Sequence, residues 1–566
     1  MVNDSKILTF PQEAKVYNKI AEKKAEQGDY VSSLGFLFSS LEKDYNLATL
    51  QQIAESYEEM GLLSLSNAYW FKYLSTCPEN KASLAYEKLA VNYFYMDSFF
   101  PATYYFHQKL SKDGFISSEN LEQDVIDFFN QSVPKKTAYH IAYPFDRADW
   151  SHYEKMGKQA LLSQDYDGAE KFLSSIPKEC LTEETSGELA IAYFLNKKDK
   201  QMIQVCKDSL ELHGENVTAY CNLASLYHAK GDKEKSAYYY SKALEMPIKN
   251  DDDGNKLGTC GMEQGDHYTV NKWLKKIVED RPFNVSMSFF YAVSMANVGD
   301  IEGATQLFCE IYKIYPQDYV VGFFAEYFTE LNCSGNDSKN LLPLEYQREI
   351  PSVISKNYKR KINELFQDPK KGLSQIKKEN VQRIIKWALT QDDFECAKKS
   401  ALILINSNSK WAEETLLNAL IDIDVFSETK RVIITLLVMN GYKEPFPVVA
   451  NEFFIKVKPR KVIFEKKIDG DLFMASYAIC LSRLAFWNID EFDKIAFSMN
   501  KIYKKLGEML IIQGVTPEEI AALCVCISKL KHLSSPEYVC KFFDARVDVV
   551  KKQIALLKGD KNDKNI

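Results

Sequence analysis

Apolar residues recur at helical spacing along most of the chain, in pairs of short segments separated by turn residues. Between Tyr220 and Leu244, aromatic and small apolar residues return every three or four positions on both sides of Gly231. A period of about 3.6 residues predicts amphipathic helices. Gly231 favours a turn between them, because glycine reaches backbone conformations that a Cβ forbids. The pattern therefore predicts two packed helices of about a dozen residues each.

The helical pair repeats with a fixed period. Gly231, Gly265 and Gly299 are 34 residues apart, and an Asp follows each of them. Pro282 and Pro316 follow the second and third of these glycines at the same interval of 17 residues. Because one helical pair cannot bury its apolar face alone, repeated copies predict a stacked solenoid.

The repeated residues follow one order, which the clearest copy shows in full. Its members are Tyr220, Leu223, Ala224, Tyr227, Gly231, Asp232, Ser236, Tyr240, Ala243 and Leu244. This order and its 34-residue period resemble the tetratricopeptide repeat (TPR). The resemblance covers roughly residues 14 to 335. It implies an all-α fold in which the first helix of each repeat lines a groove that binds a peptide or a partner helix.

The pattern predicts two TPR arrays followed by a helical domain without repeats. Residues 1–131 contain about three repeats and a capping helix (Glu119 to Phe129), and residues 132–148 form a proline-broken linker. Residues 149–335 contain about five repeats. Residues 336–558 form the helical C-terminal domain, and residues 559–566 a disordered tail.

Two segments depart from simple helical pairing. The copy around Gly265 carries three glycines, Gly254, Gly258 and Gly261, where its first helix needs bulk, which predicts a weak or irregular helix. Near residues 450–466, apolar residues alternate with lysines before a break at Pro459–Arg460. This period of two predicts one small β-hairpin.

Charge is distributed unevenly along the chain. Residues 1–335 contain 33 basic and 48 acidic residues, whereas residues 336–566 contain 38 basic and 30 acidic residues. The basic candidates for contact with an anionic partner are Lys356, Lys359, Arg360, Lys361, Lys456, Lys458, Arg460 and Lys461. They either contact an acidic protein or nucleic acid, face the chain's own acidic array, or are solvated. Few aromatics accompany them, which disfavours nucleic acid.

The sequence contains none of the common catalytic or nucleotide-binding motifs. Phosphate-binding loops, dinucleotide fingerprints, zinc-protease motifs and nucleophile elbows are all absent. Cys524, Cys526 and His532 lack the spacing of a zinc site, which favours buried core thiols. We therefore predict no enzyme activity, no cofactor and no metal. An unrecognised enzyme is the third functional class, and it requires a deep pocket with perturbed ionisable groups.

The composition indicates a reduced cytoplasmic protein. No apolar stretch approaches the ~20 residues of a membrane span, and the N-terminus lacks the pattern of a secretory signal. Twelve scattered cysteines do not suggest a disulfide framework in so long a chain. Lys outnumbers Arg by 62 to 9, a bias typical of AT-rich coding, so we expect a low-GC bacterium.

The TPR resemblance assigns residues on the first helices to a partner-binding groove. In the first array the candidates are Gln51, Glu55, Glu58 and Glu87, and in the second they are Asn222, Ser225, His228, Phe289 and Val293. The first set is acidic. We predict a non-catalytic scaffold or adaptor that binds a basic or amphipathic segment of a protein partner. The alternative is a nucleic-acid-associated regulator that uses the basic C-terminal domain.

Overall fold

The computed structural model describes residues 10–113, 125, 128–129, 150–162, 164–248, 251–333, 344–462, 467–486, 489–530 and 535–559. These ranges contain 28 α-helices and one two-stranded antiparallel sheet. The all-α prediction with one small hairpin is confirmed. Most of the expected capping helix, the linker at residues 132–148 and nearly all of the tail lie outside the described residues.

The chain forms two compact units. One contains residues 1–134 together with residues 352–566, and the other contains residues 135–351. We call residues 10–113 array 1 and residues 150–333 array 2. None of the helices in the described ranges is both long and apolar enough to cross a bilayer.

Array 1 consists of three pairs of helices, each pair joined by a short turn. In order, these are α1 (Phe10–Glu26), α2 (Tyr30–Lys43), α3 (Leu47–Glu59), α4 (Leu63–Thr76), α5 (Ala82–Tyr95) and α6 (Phe99–Asp113). Small residues such as Ala54 and Ala90 are fully buried where the helices approach, and Tyr57 and Trp70 fill the space beside them. This alternation of small and large side chains lets the helices stack at close distance.

Array 2 consists of five helical pairs and one further helix. In order, these are α7 (Ser151–Leu162), α8 (Tyr166–Leu173), α9 (Glu183–Leu195), α10 (Asp199–His213), α11 (Val217–Ala229), α12 (Lys233–Glu245), α13 (Asp251–Gln264), α14 (His267–Asp280), α15 (Val285–Asn297), α16 (Ile301–Ile314) and α17 (Tyr319–Cys333). Its cores alternate aromatic residues with alanines, as in the cluster of Phe289, Ala292, Phe308 and Phe328.

The repeated Gly-Asp dipeptide has a separate structural role for each residue. Gly231 has a φ of +73°, which is the left-handed region that favours glycine. Asp232 then begins the next helix, and its carboxylate accepts a hydrogen bond from the Lys235 amide. Asp266 and Asp300 cap α14 and α16 in the same way. The dipeptide therefore ends one helix and starts the next.

Helix α13 is continuous from Asp251 to Gln264 in spite of its three glycines, so the expectation of an irregular helix is wrong. The indole of Trp273 on α14 lies against this glycine face. A Cβ at Gly258 would lie 2.2 Å from the Trp273 ring, and one at Gly254 would lie 3.0 Å from its Nε1 atom. Tertiary packing against Trp273 thus outweighs the low helix propensity of glycine.

The C-terminal domain contains eleven described helices and the hairpin. In order, these are α18 (Ser352–Gln367), α19 (Pro369–Gln375), α20 (Glu379–Leu389), α21 (Phe394–Ser407), α22 (Lys410–Ile421), α23 (Ser427–Met439), β1 (Phe446–Ala450), β2 (Phe453–Val457), α24 (Lys467–Phe486), α25 (Phe492–Ile512), α26 (Pro517–Ile527), α27 (Pro536–Phe543) and α28 (Val547–Gly559). Thr516 and Glu519 form a reciprocal capping box at the start of α26.

The hairpin lies upstream of its predicted position. Strands β1 and β2 pair with Phe446 opposite Val457 and Ala450 opposite Phe453. The chain reverses at Asn451–Glu452, so Pro459–Arg460 is not the turn. The alternation of apolar residues and lysines located β2 correctly. It did not reveal β1, because Pro447 interrupts the pattern of that strand. A proline is nevertheless tolerated in a strand at the edge of a sheet.

Candidate partner-binding groove

A cleft of about 320 Å³ lies between α1 and α3, the first helices of the first two repeats. Its floor includes Ala21 and Leu37, which are buried, and Ser33 on α2. The Ser33 hydroxyl donates a hydrogen bond to the Ala21 carbonyl at 2.8 Å, which holds α2 against α1. The cleft is therefore a shallow groove with an apolar floor.

Four carboxylates line this cleft, two from each wall. Glu22 and Glu26 lie on α1, and Glu55 and Glu59 lie on α3. No lysine or arginine of the described ranges forms an ion pair with any of these four side chains. Their charge is thus available to a cationic ligand.

Two glutamines on α3 have different roles at the site. The Gln51 amide donates a hydrogen bond to the Glu55 carboxylate at 2.8 Å. Gln52 lines the cleft, and its Oε1 atom is buried with no hydrogen-bond partner among the described residues. Buried acceptors normally have a donor. The cleft consequently presents an excess of hydrogen-bond acceptors.

The other two acidic candidates of array 1 have structural partners and do not line the cleft. The Glu58 carboxylate accepts hydrogen bonds from the Trp70 indole at 2.7 Å and from Lys88 at 2.8 Å. Glu87 forms an ion pair of 3.2 Å with Lys109. Both carboxylates connect neighbouring helices, so of the sequence candidates only Gln51 and Glu55 belong to the cleft or its rim.

Four residues of the cleft were not among the sequence candidates: Glu22, Glu26, Gln52 and Glu59. A signal was nevertheless present, because the acidic residues are spaced four apart on the first helix of both repeats. This spacing places both members of each pair on one helix face, one turn apart. It became meaningful only once α1 and α3 were seen to be adjacent.

The candidates on array 2 do not form a comparable site. Phe289 and Val293 are fully buried in the core around Phe308, so they are not on a groove surface, and this part of the prediction is wrong. On α15 they point towards α16 and α17, because those helices supply the apolar surface that they need.

Three polar candidates of array 2 lie on α11. The amide of Asn222 donates a hydrogen bond to the Gly187 carbonyl at 3.3 Å, and the Ser225 hydroxyl donates one to Glu263. His228 is exposed near the end of the helix. Asn222 and Ser225 therefore connect successive first helices of the array.

The basic candidates on α18 are largely neutralised by neighbouring carboxylates. Lys359 forms an ion pair of 2.8 Å with Asp393. Arg360 and Lys361 both lie 3.9 Å from the Glu364 carboxylate. Lys356 is exposed. This helix consequently offers less free positive charge than its sequence suggests.

The basic candidates near the hairpin are more accessible. Lys456, Lys458 and Lys461 are exposed, whereas Arg460 forms an ion pair with Asp493. The pKa of Glu79 on array 1 is lowered, first by its hydrogen bond from Lys112 and also by the charges of Lys456 and Lys458. Part of this basic segment therefore lies beside array 1.

The hairpin itself packs on α4 and α6 of array 1. The Phe454 ring stacks on Phe71 with ring centroids 6.4 Å apart, and Phe453 packs edge-on against Tyr104 at 4.9 Å. The Tyr105 hydroxyl hydrogen-bonds to the hairpin backbone. Tyr93 on α5 adds a hydrogen bond to the Glu452 carbonyl at 3.5 Å. None of these contact residues lines the cleft between α1 and α3.

A buried lysine lies behind the hairpin. Lys430 is only 4% exposed, and its ammonium group donates a hydrogen bond to the Val449 carbonyl of β1 at 2.8 Å. Burial lowers the pKa of Lys430 to about 8, although the charges of Asp422 and Asp424 partly oppose this effect. Folding therefore places an ammonium group where its charge is poorly solvated.

The cysteines of α26 are packed as ordinary core side chains. The Cys524 thiol is fully buried and donates a hydrogen bond to the Ile495 carbonyl at 3.4 Å. Burial raises the pKa of Cys526 to about 12. His532 lies outside the described residues, within which no group of three His, Cys, Asp or Glu side chains is arranged to bind a metal ion.

Three features of the repeats indicate which known repeat they resemble. These are the helical pairs, the 34-residue spacing and the Gly-Asp turns. The repeats resemble TPR units. No protein-family model matches the sequence, and no curated protein is significantly similar to it. The TPR resemblance therefore rests on the chain's own helical pairs.

Three solved structures are similar to the chain, each at 14% sequence identity. The TPR domain of P58(IPK) matches over 70% of this chain and 99% of its own, with a TM-score of 0.23. Yeast Tom70 matches over 97% of this chain and 99% of its own, with a TM-score of 0.27. The C-terminal part of a TPR repeat-containing protein from Cytophaga hutchinsonii matches over 54% and 98%, with a TM-score of 0.17.

Proposed function

We propose that the protein is a non-catalytic scaffold that binds a basic, amphipathic segment of a partner protein in the cleft between α1 and α3. The observation that supports this proposal is the set of four carboxylates, Glu22, Glu26, Glu55 and Glu59, which line the cleft beside its apolar floor and form no ion pair with the described lysines and arginines. TPR-like repeats typically present such grooves to protein partners rather than catalyse reactions.

The spacing of the carboxylates matches that of cationic side chains on a peptide. Glu55 and Glu59 are separated by about 6 Å along the axis of α3, which is one helical turn. Lys or Arg side chains of a partner helix that are four residues apart have the same spacing. Each contact is a charge-assisted hydrogen bond, which is stronger than a neutral one.

The floor of the cleft supports an amphipathic ligand rather than a free cation. Leu37 and the methyl group of Ala21 form its apolar base, and the Tyr30 ring lies at its edge. The aliphatic stems of Lys and Arg pack well on such a surface while their charged ends reach the carboxylates. A volume of about 320 Å³ accommodates one or two side chains rather than a folded domain.

Titration of full-length protein with a synthetic lysine-rich amphipathic helix tests this function by isothermal calorimetry. The variant with both Glu55→Lys and Glu59→Lys is expected to bind at least about tenfold more weakly, because charged hydrogen bonds are replaced by like-charge repulsion. Glu42→Lys, an exposed charge reversal on α2 outside the cleft, serves as the control. Equal affinity of the cleft variant and the control would reject the cleft as the binding site.

The alternative function is contact with nucleic acid through the hairpin segment. The exposed Lys456, Lys458 and Lys461 favour it. Phosphate contacts release counterions, so this function requires affinity for nucleic acid that falls steeply with salt. Purification of the tagged protein from native lysate with and without nuclease separates the two functions. A protein partner retained at constant stoichiometry in both samples supports the scaffold, and partners lost with nuclease support the alternative.

A further inference from the structure

A short segment that is neither helix nor strand lies against the last repeats of array 2. We call residues 344–350 the strap, and they belong to the same compact unit as array 2. Burial alternates along the strap. Leu344, Tyr346, Arg348 and Ile350 are buried or half-buried, whereas the three side chains between them are exposed. Every second side chain of the strap is therefore directed towards the protein.

The first half of the strap contacts α14, α15 and the apolar core of array 2. The Tyr346 hydroxyl lies 2.9 Å from Nδ1 of His267 on α14, and the centroids of the two rings are 5.7 Å apart. The Leu344 carbonyl accepts a hydrogen bond from the side-chain amide of Asn297, the last residue of α15, at 3.4 Å. Leu344 and Tyr346 also pack on the apolar cluster that includes Phe289. The strap thus connects successive repeats.

The second half of the strap supplies a positive charge to a buried carboxylate. Arg348 forms an ion pair with Asp318, whose side chain is only 5% exposed. The other oxygen of this carboxylate accepts hydrogen bonds from the amides of Val320 and Val321 in the first turn of α17, at 2.8 and 3.0 Å. A buried carboxylate that loses its cation is costly. The Asp318 site therefore requires a replacement cation whenever the strap leaves it.

These contacts recognise a short sequence pattern. The pattern is an apolar residue, a tyrosine two positions later and an arginine two positions after that. The recognising groups are His267, Asn297 and Asp318, together with the apolar cluster around Phe289. All of them belong to the repeats, so they can make the same contacts with a segment of another protein that has this pattern.

We propose that the last repeats of array 2 form a docking surface for a partner segment with the pattern apolar-x-Tyr-x-Arg, and that the strap covers this surface until the partner displaces it. A segment outside regular secondary structure, with every second side chain in solvent, detaches more readily than a packed helix. Its departure exposes apolar surface and leaves Asp318 without its cation, and both effects favour the partner. This inference concerns array 2 and is independent of the cleft in array 1.

The composition of the covered surface favours a peptide over two other occupants. An inorganic cation replaces Arg348 at Asp318 but leaves the apolar cluster without a cover. A membrane surface requires a broad apolar face, whereas this surface combines apolar, amide and carboxylate groups. A peptide with the strap's pattern satisfies all of these groups at once.

A fluorescent peptide with the sequence of residues 344–350 is the probe. Its binding to full-length protein is measured by fluorescence anisotropy at concentrations up to about 1 mM, which covers weak affinities. The probe carries two glutamates and one arginine, so the acidic cleft of array 1 does not attract it. Its result is therefore separate from that of the test of the cleft.

A protein variant with a loosened strap is expected to bind the probe more tightly than wild type. The variant carries Tyr346→Ala and Arg348→Ala, which remove two inward side chains and leave the docking surface intact. We expect at least about tenfold tighter binding, because the covering segment competes less. The matched control carries Gln347→Ala and Glu349→Ala on the exposed side of the strap and is expected to bind as wild type does. Thermal melting curves show whether each variant is folded.

The contact between arginine and Asp318 is tested by a double-mutant cycle. Replacement of the arginine in the probe by alanine is expected to weaken binding to the loosened variant at least about tenfold, because a charged hydrogen bond is lost. Asp318→Asn in the loosened variant retains a side chain that can cap α17 but removes the charge. In that background the same change in the probe is expected to have less than about a threefold effect.

Hydrogen–deuterium exchange of the wild type tests displacement without any substitution in the protein. At about 1 mM probe, exchange in the strap is expected to accelerate, because the probe takes its place on the repeats. The fluorophore gives the probe a different mass from the strap, so the two are distinguished. This measurement decides the question even if the loosened variant does not fold.

Three results would overturn the proposal. They are a folded loosened variant that binds the probe no more tightly than wild type, equal binding of the probe and its arginine-to-alanine form, and unchanged exchange of the wild-type strap at about 1 mM probe. Each would make the strap a permanent part of array 2.

Discussion

Tyr105 and Phe454 are 349 residues apart in the sequence, yet the Tyr105 hydroxyl accepts a hydrogen bond from the Phe454 amide at 2.9 Å. The same hydroxyl donates a hydrogen bond to the Glu452 carbonyl at 2.6 Å. One side chain of array 1 thus pairs with two backbone groups at the tip of the hairpin. Because the Tyr105 side chain is fully buried, water cannot readily replace it there.

Removal of this hydroxyl by Tyr105→Phe is expected to destabilise the unit that contains array 1 by about 1–3 kcal/mol, since it leaves the buried Phe454 amide without its partner. The Glu452 carbonyl keeps its second hydrogen bond, from the Tyr93 hydroxyl at 3.5 Å. Hydrogen–deuterium exchange of the β2 peptide is expected to accelerate in the same variant. Tyr45→Phe, at an exposed tyrosine of array 1, is the matched control. Unchanged exchange in β2 would show that the hairpin is held without Tyr105.

The turn of the hairpin contains a residue whose replacement by glycine is expected to stabilise the protein. Asn451 and Glu452 both have positive φ, at 48° and 70°. Two positive φ angles in a two-residue turn favour Asn-Gly, because a Cβ is strained in this region. Glu452→Gly is therefore expected to stabilise the protein by about 1 kcal/mol.

Glu452→Ala separates this backbone effect from the loss of the carboxylate. Alanine also removes the charge but retains the Cβ, so it is not expected to reproduce the gain. Thermal midpoints of the wild type and both variants make the comparison. Equal midpoints for the glycine and alanine variants would exclude strain at Glu452.

The buried ammonium of Lys430 is expected to make stability depend on pH. Its pKa is about 8 in the folded protein, compared with 10.5 ordinarily. Between these values the unfolded chain binds more protons, so stability rises with pH across this window and is lost as pH falls through about 8. The penalty for the charged form at neutral pH is on the order of 3 kcal/mol.

Lys430→Met removes this titration. The variant is expected to be more stable than wild type by a larger margin at about pH 7 than at about pH 9.5. Lys377→Met, at an exposed lysine of the same domain, should show a difference from wild type that does not vary with pH. Denaturant titration at both pH values measures both variants against wild type, and a constant difference for Lys430→Met would contradict the buried charge.

The glycine face of α13 predicts opposite outcomes for the same substitution at two sites. Gly258→Ala places a Cβ against the Trp273 ring, and the forced displacement is expected to cost about 1–3 kcal/mol. Gly35→Ala on α2 meets no atom within 4 Å and is expected to stabilise its helix by up to about 1 kcal/mol. Thermal unfolding of both variants measures whether each substitution lowers or raises the stability of the protein.

The smaller ring of Trp273→Phe offers a rescue for Gly258→Ala. If the clash is the cause, Gly258→Ala is expected to cost less in the Trp273→Phe background than in wild type. Equal costs in the two backgrounds would assign the loss to something other than the contact between these residues.

Local periodicity in the sequence predicted the parts of the fold that depend on neighbouring residues. The period of Gly231, Gly265 and Gly299 located successive repeats, because each helical pair makes its main contacts within itself and with the next pair. The Thr516 cap and the alternation around Val457 likewise act over a few residues. These features were confirmed in the structure.

The candidate site was only partly predictable, because it depends on which helix faces meet. Glu55 was assigned to the groove, but Glu22 and Glu26 became its neighbours only when α1 was placed beside α3. Phe289 was misassigned because a position that faces the groove in one repeat faces the core in another when larger side chains fill the layer. The contact of the hairpin with Tyr105 has no local signature at all.

The separation of Tyr105 from the hairpin also affects how the protein is made. A ribosome adds roughly 5–20 residues per second, so β2 is synthesised about 20 to 70 s after array 1. During that interval Phe71 and Tyr105 lack the hairpin that covers them in the finished protein. Nascent array 1 is consequently expected to be a client of chaperones that bind apolar surface on unfinished chains, until the last third of the polypeptide emerges.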